Sequence, residues 1–382
     1  MKRLLFVTNR MIEGSKTGAY IASKRNYDIL KEIEIDIEAY IIPNLKSNIK
    51  KLDNVLLKNR LENITSKEEN KILDKLKKEN YDIVFLDGSC FGYLSSNIKK
   101  RLPHIKIITF CHDINYFLYL SILKVHTKMN KIGFKFIYKY FYLLKLIINS
   151  EINEKKVFST SDIIITFNKR DSKLLIKKYG EKNIIEIPMT FESKKIDYLG
   201  NKSDINRKFK ILFVGVADHV PNIEGINFFI DKVLNKIDVE LEIIGRGMEK
   251  YKQEFENKNK KVKVLGTVDN LDKYYINADA IISPIFSGGG MKIKTGEALA
   301  YWKTIFGTTE AFEGYELDYD KVGGLCDTPE EFIEKINNYL KWWKEHNKPK
   351  FNEYSKNIFK EKYSYESSIK KFRYIFNKLG NK

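Results

Sequence analysis

Two segments of this chain begin in the same way: "KRLLFVTNR" from Lys2 and "KFKILFVGVADH" from Lys208. Each is a short apolar run, followed by a polar or glycine-containing turn and then an amphipathic helix pattern, which is the order expected at the start of a βαβ unit. Further strand-like runs alternate with helix-like segments after each of them. The sequence therefore predicts an α/β fold with two doubly wound parallel-sheet domains.

The later strands can be named from the same alternation. The strand-like runs after the segment that begins at Lys2 are "IEIDIEAYII", "YDIVFLDGS" and "HIKIITFCHD". Those after the segment that begins at Lys208 are "VELEIIGRG", "KVKVLGTV" and "ADAIISPIF". Residues 66–79, 226–236 and 249–257 have helix-like patterns between them. We predict an amino-terminal domain over residues 1–195, a second domain over 205–355, and a helix over 356–382 that packs back on the amino-terminal domain. The polar stretch between Ser193 and Lys208 is the predicted boundary.

Composition narrows the class of protein. The chain is 43% hydrophobic and 31% charged, which is typical of a globular protein, and no apolar run approaches the roughly 20 residues that span a bilayer. The stretch "MKRLLFVTNRM" lacks the apolar core of a signal peptide. We expect a cytoplasmic protein. The three widely spaced cysteines and five unclustered histidines predict neither a disulfide framework nor a metal site.

The net charge of +18 lies mostly in the amino-terminal half. Residues 1–200 carry 37 Lys and Arg against 23 Asp and Glu, whereas residues 201–382 carry 31 against 27. A positive field of this kind attracts phosphates, nucleic acid or anionic lipid, and it also keeps a protein in solution. Because no basic and aromatic motif of a known nucleic-acid reader is present, we do not predict a nucleic-acid partner.

Residues 115–150 break the α/β pattern. This segment holds six lysines, nine Phe or Tyr residues and no acidic residue. Aromatic rings and lysines together suit a membrane interface with anionic lipid, at the inner face of the cell membrane. A helix that packs on the core and leaves one basic face in water explains the same composition. The sequence leaves both interpretations open.

The segment "SPIFSGGGMKIKTGEALAYWK", from Ser283 to Lys303, joins a predicted strand to a predicted helix. Three consecutive glycines in such a turn allow backbone N–H groups to face an anion. Lys292 and Lys294 add positive charge, and Lys294 and Glu297 are spaced to share one helix face. The segment is neither a Walker phosphate loop nor a dinucleotide fingerprint. A tight turn followed by a surface ion pair is the alternative.

The carboxyl-terminal half, through "LFVGVADHVPNIEGINFF", "LEIIGRG" and "VKVLGTVDNLDKYYINADAIISPIFSGGGMKIKTGEALAYWKTIFGTTEAFEGYE", resembles the donor domain of family 4 glycosyltransferases. More weakly, "YDIVFLDGS", "IITFCHDINYFLY" and "EKKVFSTSDIIITFNKRDSKLLIKKYG" resemble that family's acceptor domain. The resemblance implies the GT-B fold, in which two Rossmann-like domains face each other across a cleft. It also implies transfer of a sugar from a nucleotide sugar with retention, with no obligatory metal and no cofactor.

The resemblance also implies roles for individual residues. The family's ribose-binding glutamate falls on Glu297, and His112 matches a histidine that contacts the donor sugar. The family's first glutamate, eight residues before the second, would be position 289, where this chain has Gly289. The usual phosphate-binding Arg and Lys are absent from "GVADHVPN", so we expect Lys294, with Lys292, to supply the positive charge for the phosphates. The expected catalytic residues are Glu297, Lys294 and His112.

Two further sets of site residues follow from the resemblance. The expected contacts to the donor nucleotide and phosphates are Gly288, Gly289, Gly290, Met291, Lys292, Gly215, Gly247, Val268 and Gly18. On the acceptor side the strand-end carboxylates Asp87 and Asp113 are weaker candidates. The subgroup that shares this Gly-rich turn also shares the Pro221-Asn222 pair.

The expected function is a retaining glycosyltransferase in the synthesis of bacterial cell-surface polysaccharide, such as capsule or lipopolysaccharide O-antigen. Its partners would be a nucleotide sugar and a glycan or lipid-linked glycan acceptor. Two alternatives stay open. A nucleotide-sugar epimerase of GT-B fold would need no acceptor, and a degenerate transferase subunit without catalysis would explain Gly289.

Overall fold

A computed structural model of the protein describes residues 2–11, 18–33, 35–43, 64–129, 133–194, 196, 207–288 and 290–380. The chain forms two compact units. The first unit consists of Met1–Pro188 with Ile369–Lys382, and the second of Met189–Ser368. Each unit contains one six-stranded sheet whose strand pairs are all parallel. The predicted α/β class with two doubly wound sheets is therefore confirmed.

The first unit alternates strands with helices along the chain. Its strands are β1 (Arg3–Thr8), β2 (Asp36–Ile41), β3 (Ile83–Leu86), β4 (Lys106–Cys111), β5 (Ile163–Thr166) and β6 (Ile184–Glu186). Its helices are α1 (Gly18–Glu32), α2 (Ser66–Lys78), α3 (Gly92–Arg101), α4 (Asn115–Met129), α5 (Phe134–Thr160) and α6 (Lys169–Tyr179). The strand order is β2-β1-β3-β4-β5-β6. The first strand, β1, thus has β2 on one side and β3 on the other.

The core of the first unit lies on both faces of this sheet. Every side chain of β3 and β5 is buried, as expected for parallel strands covered on two sides. Phe6 of β1 stacks on Phe85 of β3, with ring centroids 5.1 Å apart. The last helix, α14 (Tyr365–Gly380), adds Phe372, whose ring lies 6.2 Å from that of Phe85. The helix predicted over residues 356–382 begins at Tyr365 instead, and its part from Ile369 belongs to the first unit.

The second unit repeats the same alternation. Its strands are β7 (Lys210–Val214), β8 (Glu240–Ile244), β9 (Val262–Gly266), β10 (Ala280–Ser283), β11 (Thr304–Gly307) and β12 (Gly323–Leu325). Its helices are α7 (Val220–Lys232), α8 (Lys252–Lys258), α9 (Asp272–Asn277), α10 (Ile293–Ala300), α11 (Tyr319–Val322), α12 (Pro329–Glu345) and α13 (Glu353–Ile358). The strand order is β12-β11-β10-β7-β8-β9. Here β7 lies between β8 and β10.

The change between units falls at Pro188/Met189, before the predicted polar boundary between Ser193 and Lys208. Phe191 explains the difference, because its backbone N–H donates to Tyr363 O at 2.8 Å and its C=O accepts from the Tyr365 N–H at 2.9 Å. Its ring is buried in the core of the second unit. Residues 356–368 also belong to that unit. A pairing over so long a sequence separation leaves no local signal in composition.

The basic, aromatic segment 115–150 forms α4 and the first part of α5. The two helices pack on each other through the buried side chains of Leu123, Leu143 and Ile147. None of the helices among the described residues is long and apolar enough to cross a bilayer. One face of the pair packs within the first unit, and the other leaves large apolar side chains exposed.

We predict that Gly225→Ala in α7 destabilises the second unit. A Cβ atom at this position would lie 1.9 Å from the backbone oxygen of Pro284, which follows β10. Alanine favours a helix by about 1 kcal/mol over glycine, but a helix forced away from the sheet costs about 1–3 kcal/mol, so the clash outweighs the helix propensity. Denaturant unfolding of the purified variant measures the loss.

Gly133→Ala is the control for this substitution, because a Cβ there meets no atom within 4 Å. Because Gly133 is the N-cap of α5, where glycine is favoured over alanine, we expect a loss in the free energy of unfolding of no more than about 1 kcal/mol. Equal stabilities for the two variants would contradict the close approach of α7 to the loop after β10.

Candidate functional site

The strand order of the second unit creates a switch point beside β7. The chain runs from β7 outward to β8 and β9 and then returns to the other side of β7 as β10. The loops that follow β7 and β10 therefore leave the sheet in opposite directions, and in open parallel sheets the crevice between two such loops is where ligands bind. Gly215 follows β7, while Gly288 and Gly290 follow β10 and precede α10.

A lysine and an asparagine join the two sides of this switch point. Lys294, in the first turn of α10, donates from Nζ to Asn222 Oδ1 at 2.6 Å. Asn222 is buried in the first turn of α7, and its Nδ2 donates to Val216 O at 2.8 Å. The Lys294 ammonium also lies 4.7 Å from the ring centroid of Phe213 in β7. The cation is therefore held in a fixed position beside the sheet rather than extended into water.

The surroundings of Lys294 weaken its charge. Burial, with a smaller contribution from the neighbouring positive charge of Lys292, lowers the pKa of Lys294 to about 7, and Glu297 acts in the opposite direction. An anion placed beside the amine would favour the charged form and raise the pKa. The site can thus take up a proton when an anionic ligand arrives.

A second cation and a carboxylate lie at the Gly-rich turn itself. Lys292 Nζ donates to Gly290 O at 2.8 Å and to Glu310 Oε1 at 2.6 Å. Glu310 follows β11, the neighbour of β10 in the sheet. A Cβ atom on Gly288 would lie 3.4 Å from Glu310 Oε1, so this carboxylate lies against the turn. The backbone at Gly288 and Gly290 has φ of +143° and +66°, which side chains other than glycine rarely adopt.

Glu297 lies one turn further along α10. Its Oε2 accepts from the hydroxyl of Tyr275 at 3.1 Å, and the Tyr275 ring is fully buried against Tyr301, with ring centroids 4.5 Å apart. Burial raises the pKa of Glu297, and the hydrogen bond from Tyr275 and the charge of Lys194 oppose that shift. One carboxylate oxygen is therefore anchored by a buried donor, and the group keeps further capacity to accept hydrogen bonds.

Two more predicted loops lie at the same edge of the sheet. Gly247 follows β8 with a left-handed backbone, φ +81°, and Val268 follows β9. Glu249 ties these loops together, because its Oε2 accepts from Thr267 N at 3.2 Å and from Thr267 Oγ1 at 3.3 Å. Met291 and Val268 are partly buried against the core. The described donor-side residues after β7, β8, β9 and β10 thus lie along one edge of one sheet.

His112 belongs to the first unit, where it forms a cluster with Asp87 and Thr8. The imidazole Nε2 lies 2.6 Å from Asp87 Oδ1, and Thr8 Oγ1 donates to Asp87 Oδ2 at 2.6 Å. Thr8 ends β1 and Asp87 follows β3, so their bond crosses the switch point of this sheet. The fully buried Asp87 carboxylate orients the His112 ring, which also contacts Phe110 and Phe167 at centroid distances of 4.8 and 5.3 Å.

Three predicted site residues remain, namely Asp113, Gly18 and Gly289. Asp113 is exposed beside His112, and Gly18 begins α1 in the first unit. Gly289 lies outside the described residues. Within the described ranges, no group of three or more His, Cys, Asp or Glu side chains is placed to hold a metal ion.

Sequence reasoning assigned no role to four residues that the structure brings into the site of the second unit. These are Asn222, Glu310, Tyr275 and Glu249. Glu310 follows a strand, so the rule that weights strand ends could have found it. Asn222, Tyr275 and Glu249 lie in helical segments, and only the packing of those segments brings them to the switch point.

Residues 208–341 match the family model described as "Glycosyl transferases group 1". An uncharacterized glycosyltransferase of Methanocaldococcus jannaschii, MJ1069, is 25% identical over 331 residues, which is 80% of this chain and 77% of that protein. Among solved structures, the lipopolysaccharide outer core galactosyltransferase WaaB has a TM-score of 0.65 at 14% identity, with 99% of this chain and 100% of WaaB covered. HepE of Anabaena, in complex with UDP and glucose, has a TM-score of 0.58 at 13% identity, with 99% and 100% covered.

The two units with their parallel sheets define the class: this is a protein of GT-B fold. Within this fold, residues 208–341 of the second unit form a domain that matches the group 1 glycosyltransferase family. That range lies within the second domain predicted from the sequence, and it contains Asn222, Lys294, Glu297 and Glu310.

We predict that Lys294→Met changes how the stability of the protein depends on pH. The folded state holds the pKa of Lys294 near 7, below its ordinary value of 10.5, so between these two pH values the unfolded chain binds more protons than the folded one. The contribution of Lys294 to stability therefore improves as pH rises through this window. Relative to wild type, Lys294→Met should lose about 1–3 kcal/mol between pH 7 and pH 10.

Denaturant unfolding at a series of pH values measures this slope. Lys100→Met, at an exposed position of α3, gives the background for removing a lysine. The same pH dependence for Lys294→Met and wild type would show that Lys294 is not held with a lowered pKa.

Proposed function

We propose that this protein transfers a sugar from a nucleoside diphosphate sugar to a glycan acceptor, with retention at the anomeric carbon and without an obligatory metal or cofactor. The observation that carries the proposal is the Lys294–Asn222 contact across the switch point of the matched domain. It places a cation at the amino-terminal turn of α10, beside a Gly-rich turn and a second lysine. This combination suits a diphosphate.

The departing nucleoside diphosphate is the group that needs stabilising. Negative charge develops on its phosphate oxygens as the bond to the sugar breaks, and preorganised cations and backbone N–H groups lower the energy of that state. Lys294 and Lys292 are the proposed cations, and the amino terminus of α10 with the turn at Gly288 and Gly290 supplies the backbone donors. Lys294, with its pKa near 7, becomes fully charged when the diphosphate binds.

The carboxylates have separate proposed roles. Glu297, anchored by Tyr275, accepts hydrogen bonds from the ribose hydroxyls. Position 289 offers no carboxylate for the donor sugar, and Glu310 lies against the same turn. We assign to Glu310 the contact with the donor sugar hydroxyls. Gly215, Gly247 and Val268 form the wall for the nucleoside.

In this proposal the first unit binds the acceptor. His112, oriented by Asp87, contacts the donor sugar, and the exposed Asp113 contacts the acceptor. Gly18, at the start of α1, contributes to the donor phosphates. The basic charge of the amino-terminal half suits an acceptor carried on an anionic lipid phosphate.

The proposed process is the synthesis of bacterial cell-surface polysaccharide, capsule or lipopolysaccharide O-antigen, on a lipid-linked acceptor. We place the protein in the cytoplasm, peripherally at the inner face of the membrane. The similarity to WaaB, a lipopolysaccharide outer core galactosyltransferase, supports this choice of process, and the similarity to HepE, solved with UDP and glucose, makes UDP sugars the first donors to test.

The first experiment is a thermal-shift screen of the purified protein against nucleoside diphosphates and their sugars. We expect one diphosphate to raise the melting temperature by several degrees at saturation, because a ligand that binds only the folded state stabilises it. Lys294→Ala should abolish the shift, and Glu297→Ala should reduce it. Turnover of the matching donor sugar with acceptor should fall at least about 100-fold in both variants.

Three results would count against the proposal. If no diphosphate raises the melting temperature, the proposed donor site is wrong. Conversion of the donor sugar without an acceptor would indicate an epimerase. Unchanged cellular glycan after both substitutions would indicate a subunit without catalysis. Lys100→Ala, at an exposed position of the first unit, serves as the matched control and should leave the shift unchanged.

Glu310→Gln tests the assignment of that carboxylate. The amide keeps the size of the side chain but no longer pairs with the Lys292 charge. If Glu310 contacts the donor sugar, affinity for the complete nucleotide sugar should fall about tenfold, while affinity for the bare diphosphate stays the same or increases. Isothermal titration with both ligands separates these cases. An equal loss for both ligands would limit Glu310 to holding Lys292.

A further inference from the structure

The helices α4 and α5 leave an apolar surface exposed on the first unit. Of the sixteen large hydrophobic side chains that are exposed among the described residues, seven lie on these two helices. They are Leu118, Ile122, Ile137, Tyr138, Phe141, Tyr142 and Ile148. We call them the hairpin face. Isolated exposed apolar side chains are ordinary on a protein surface, whereas a cluster of this kind marks an interaction site.

The hairpin face is continuous along α5. Ile137, Phe141 and Ile148 follow one another at helical spacing, and Tyr138 and Tyr142 lie beside them on the same side of the helix. Tyr138 is 67% exposed, Phe141 64% and Ile148 55%. The opposite side of the same helix carries the buried Leu143 and Ile147 that pack against α4. The exposure is therefore a property of one side of a well-packed helix.

Lysines lie on the same two helices as the hairpin face. Lys124 and Lys139 are exposed on α4 and α5, and Lys145 is half-buried among the apolar residues of α5. The sequence has no acidic residue from 115 to 150. The acidic residues that follow are directed elsewhere, because Glu151 pairs with Lys178 of α6 at 2.7 Å and Glu154 is buried.

This combination of exposed apolar, tyrosine and lysine side chains favours an anionic bilayer over a protein as the partner. A protein interface built on lysines would be matched by carboxylates, and its centre would be depleted in lysine. An anionic bilayer instead offers headgroup phosphates for the lysines, an apolar layer for Phe141 and Ile148, and an interface zone for the tyrosine rings. None of the helices among the described residues can span a bilayer, so the contact is with its surface.

We propose that the hairpin face of α4 and α5 docks on the surface of an anionic lipid bilayer. The helices lie along the membrane, with Phe141 and Ile148 below the headgroups and Lys124 and Lys139 among the phosphates. This deepens the proposed function by naming the surface that would bring the protein to a lipid-linked acceptor. The lipid contact itself is argued from the first unit alone.

Vesicle co-sedimentation of the full-length protein tests the proposal. We expect binding to vesicles of phosphatidylcholine with one third phosphatidylglycerol, little binding to phosphatidylcholine alone, and a marked loss at high salt, because charge attraction is screened. The double variant Tyr138→Ser with Phe141→Ser should lower the partition coefficient about tenfold. Lys124→Glu with Lys139→Glu should lower it about tenfold or more.

Two matched control variants should not lose vesicle binding. Tyr374→Ser removes a ring that is 59% exposed on α14 of the same unit, and Lys100→Glu reverses an exposed charge on α3. Both should bind vesicles as the wild type does. Circular dichroism and the melting temperature of each variant establish that it is folded.

A depth measurement distinguishes insertion from attraction by charge alone. A tryptophan introduced by Phe141→Trp should be quenched by brominated lipids, and one introduced by Tyr374→Trp should not, each relative to the wild-type signal. Absence of quenching at position 141 would overturn the proposal, and so would wild-type binding by the serine double variant. Self-association in sedimentation velocity that the serine variant abolishes, without vesicle binding, would assign the face to a second copy of the chain.

The outcome is separable from that of the proposed transfer reaction. Vesicle binding is measured without donor or acceptor, and diphosphate binding is measured without vesicles. Loss of the first with the second intact overturns only the lipid contact.

Discussion

The position of the first strand within each sheet is the constraint on which the rest of the structure depends. In the first unit β1 lies between β2 and β3, and in the second unit β7 lies between β8 and β10. Crossovers between parallel strands are right-handed. The loops that follow the two strands on either side of a reversal in strand order therefore leave the sheet in opposite directions, and a crevice forms between them. Thr8 and Asp87 meet at one such reversal, and Asn222 and Lys294 meet at the other.

Two lysines of the second unit, Lys303 and Lys294, differ in how many hydrogen-bond partners their ammonium groups have. Burial lowers the pKa of both Lys294 and Lys303 to about 7. Lys303 donates to three backbone oxygens, those of Ile276, Ala278 and Lys350, which is a complete set for an ammonium group. Lys294 has one oxygen partner, Asn222, and a ring face. Lys303 therefore fixes the chain around β11, whereas Lys294 keeps N–H donors beyond the one that Asn222 accepts.

Much of the fold could be predicted from local patterns. The strands "IVFL" and "IIIT" are fully buried runs of β-branched and apolar residues, which parallel sheets require on both faces. The helix over residues 66–78 could be predicted because its apolar residues recur at helical spacing, and Thr65 caps it. The change of unit at Pro188/Met189 could not, because it rests on the pairing of Phe191 with residues 363 and 365, far along the chain.

The sequence by itself determined the alternation of strands and helices, the strand-to-helix turn at the glycines, and the presence of Lys292, Lys294 and Glu297 just after it. Each of these follows from residues close together in the chain. Only the tertiary structure decided the partners, since Lys294 meets Asn222 across 72 positions and Lys292 meets Glu310 across 18. The physical reason is that strand order fixes which loops become neighbours, and strand order is set by packing over the whole sheet rather than by local propensity.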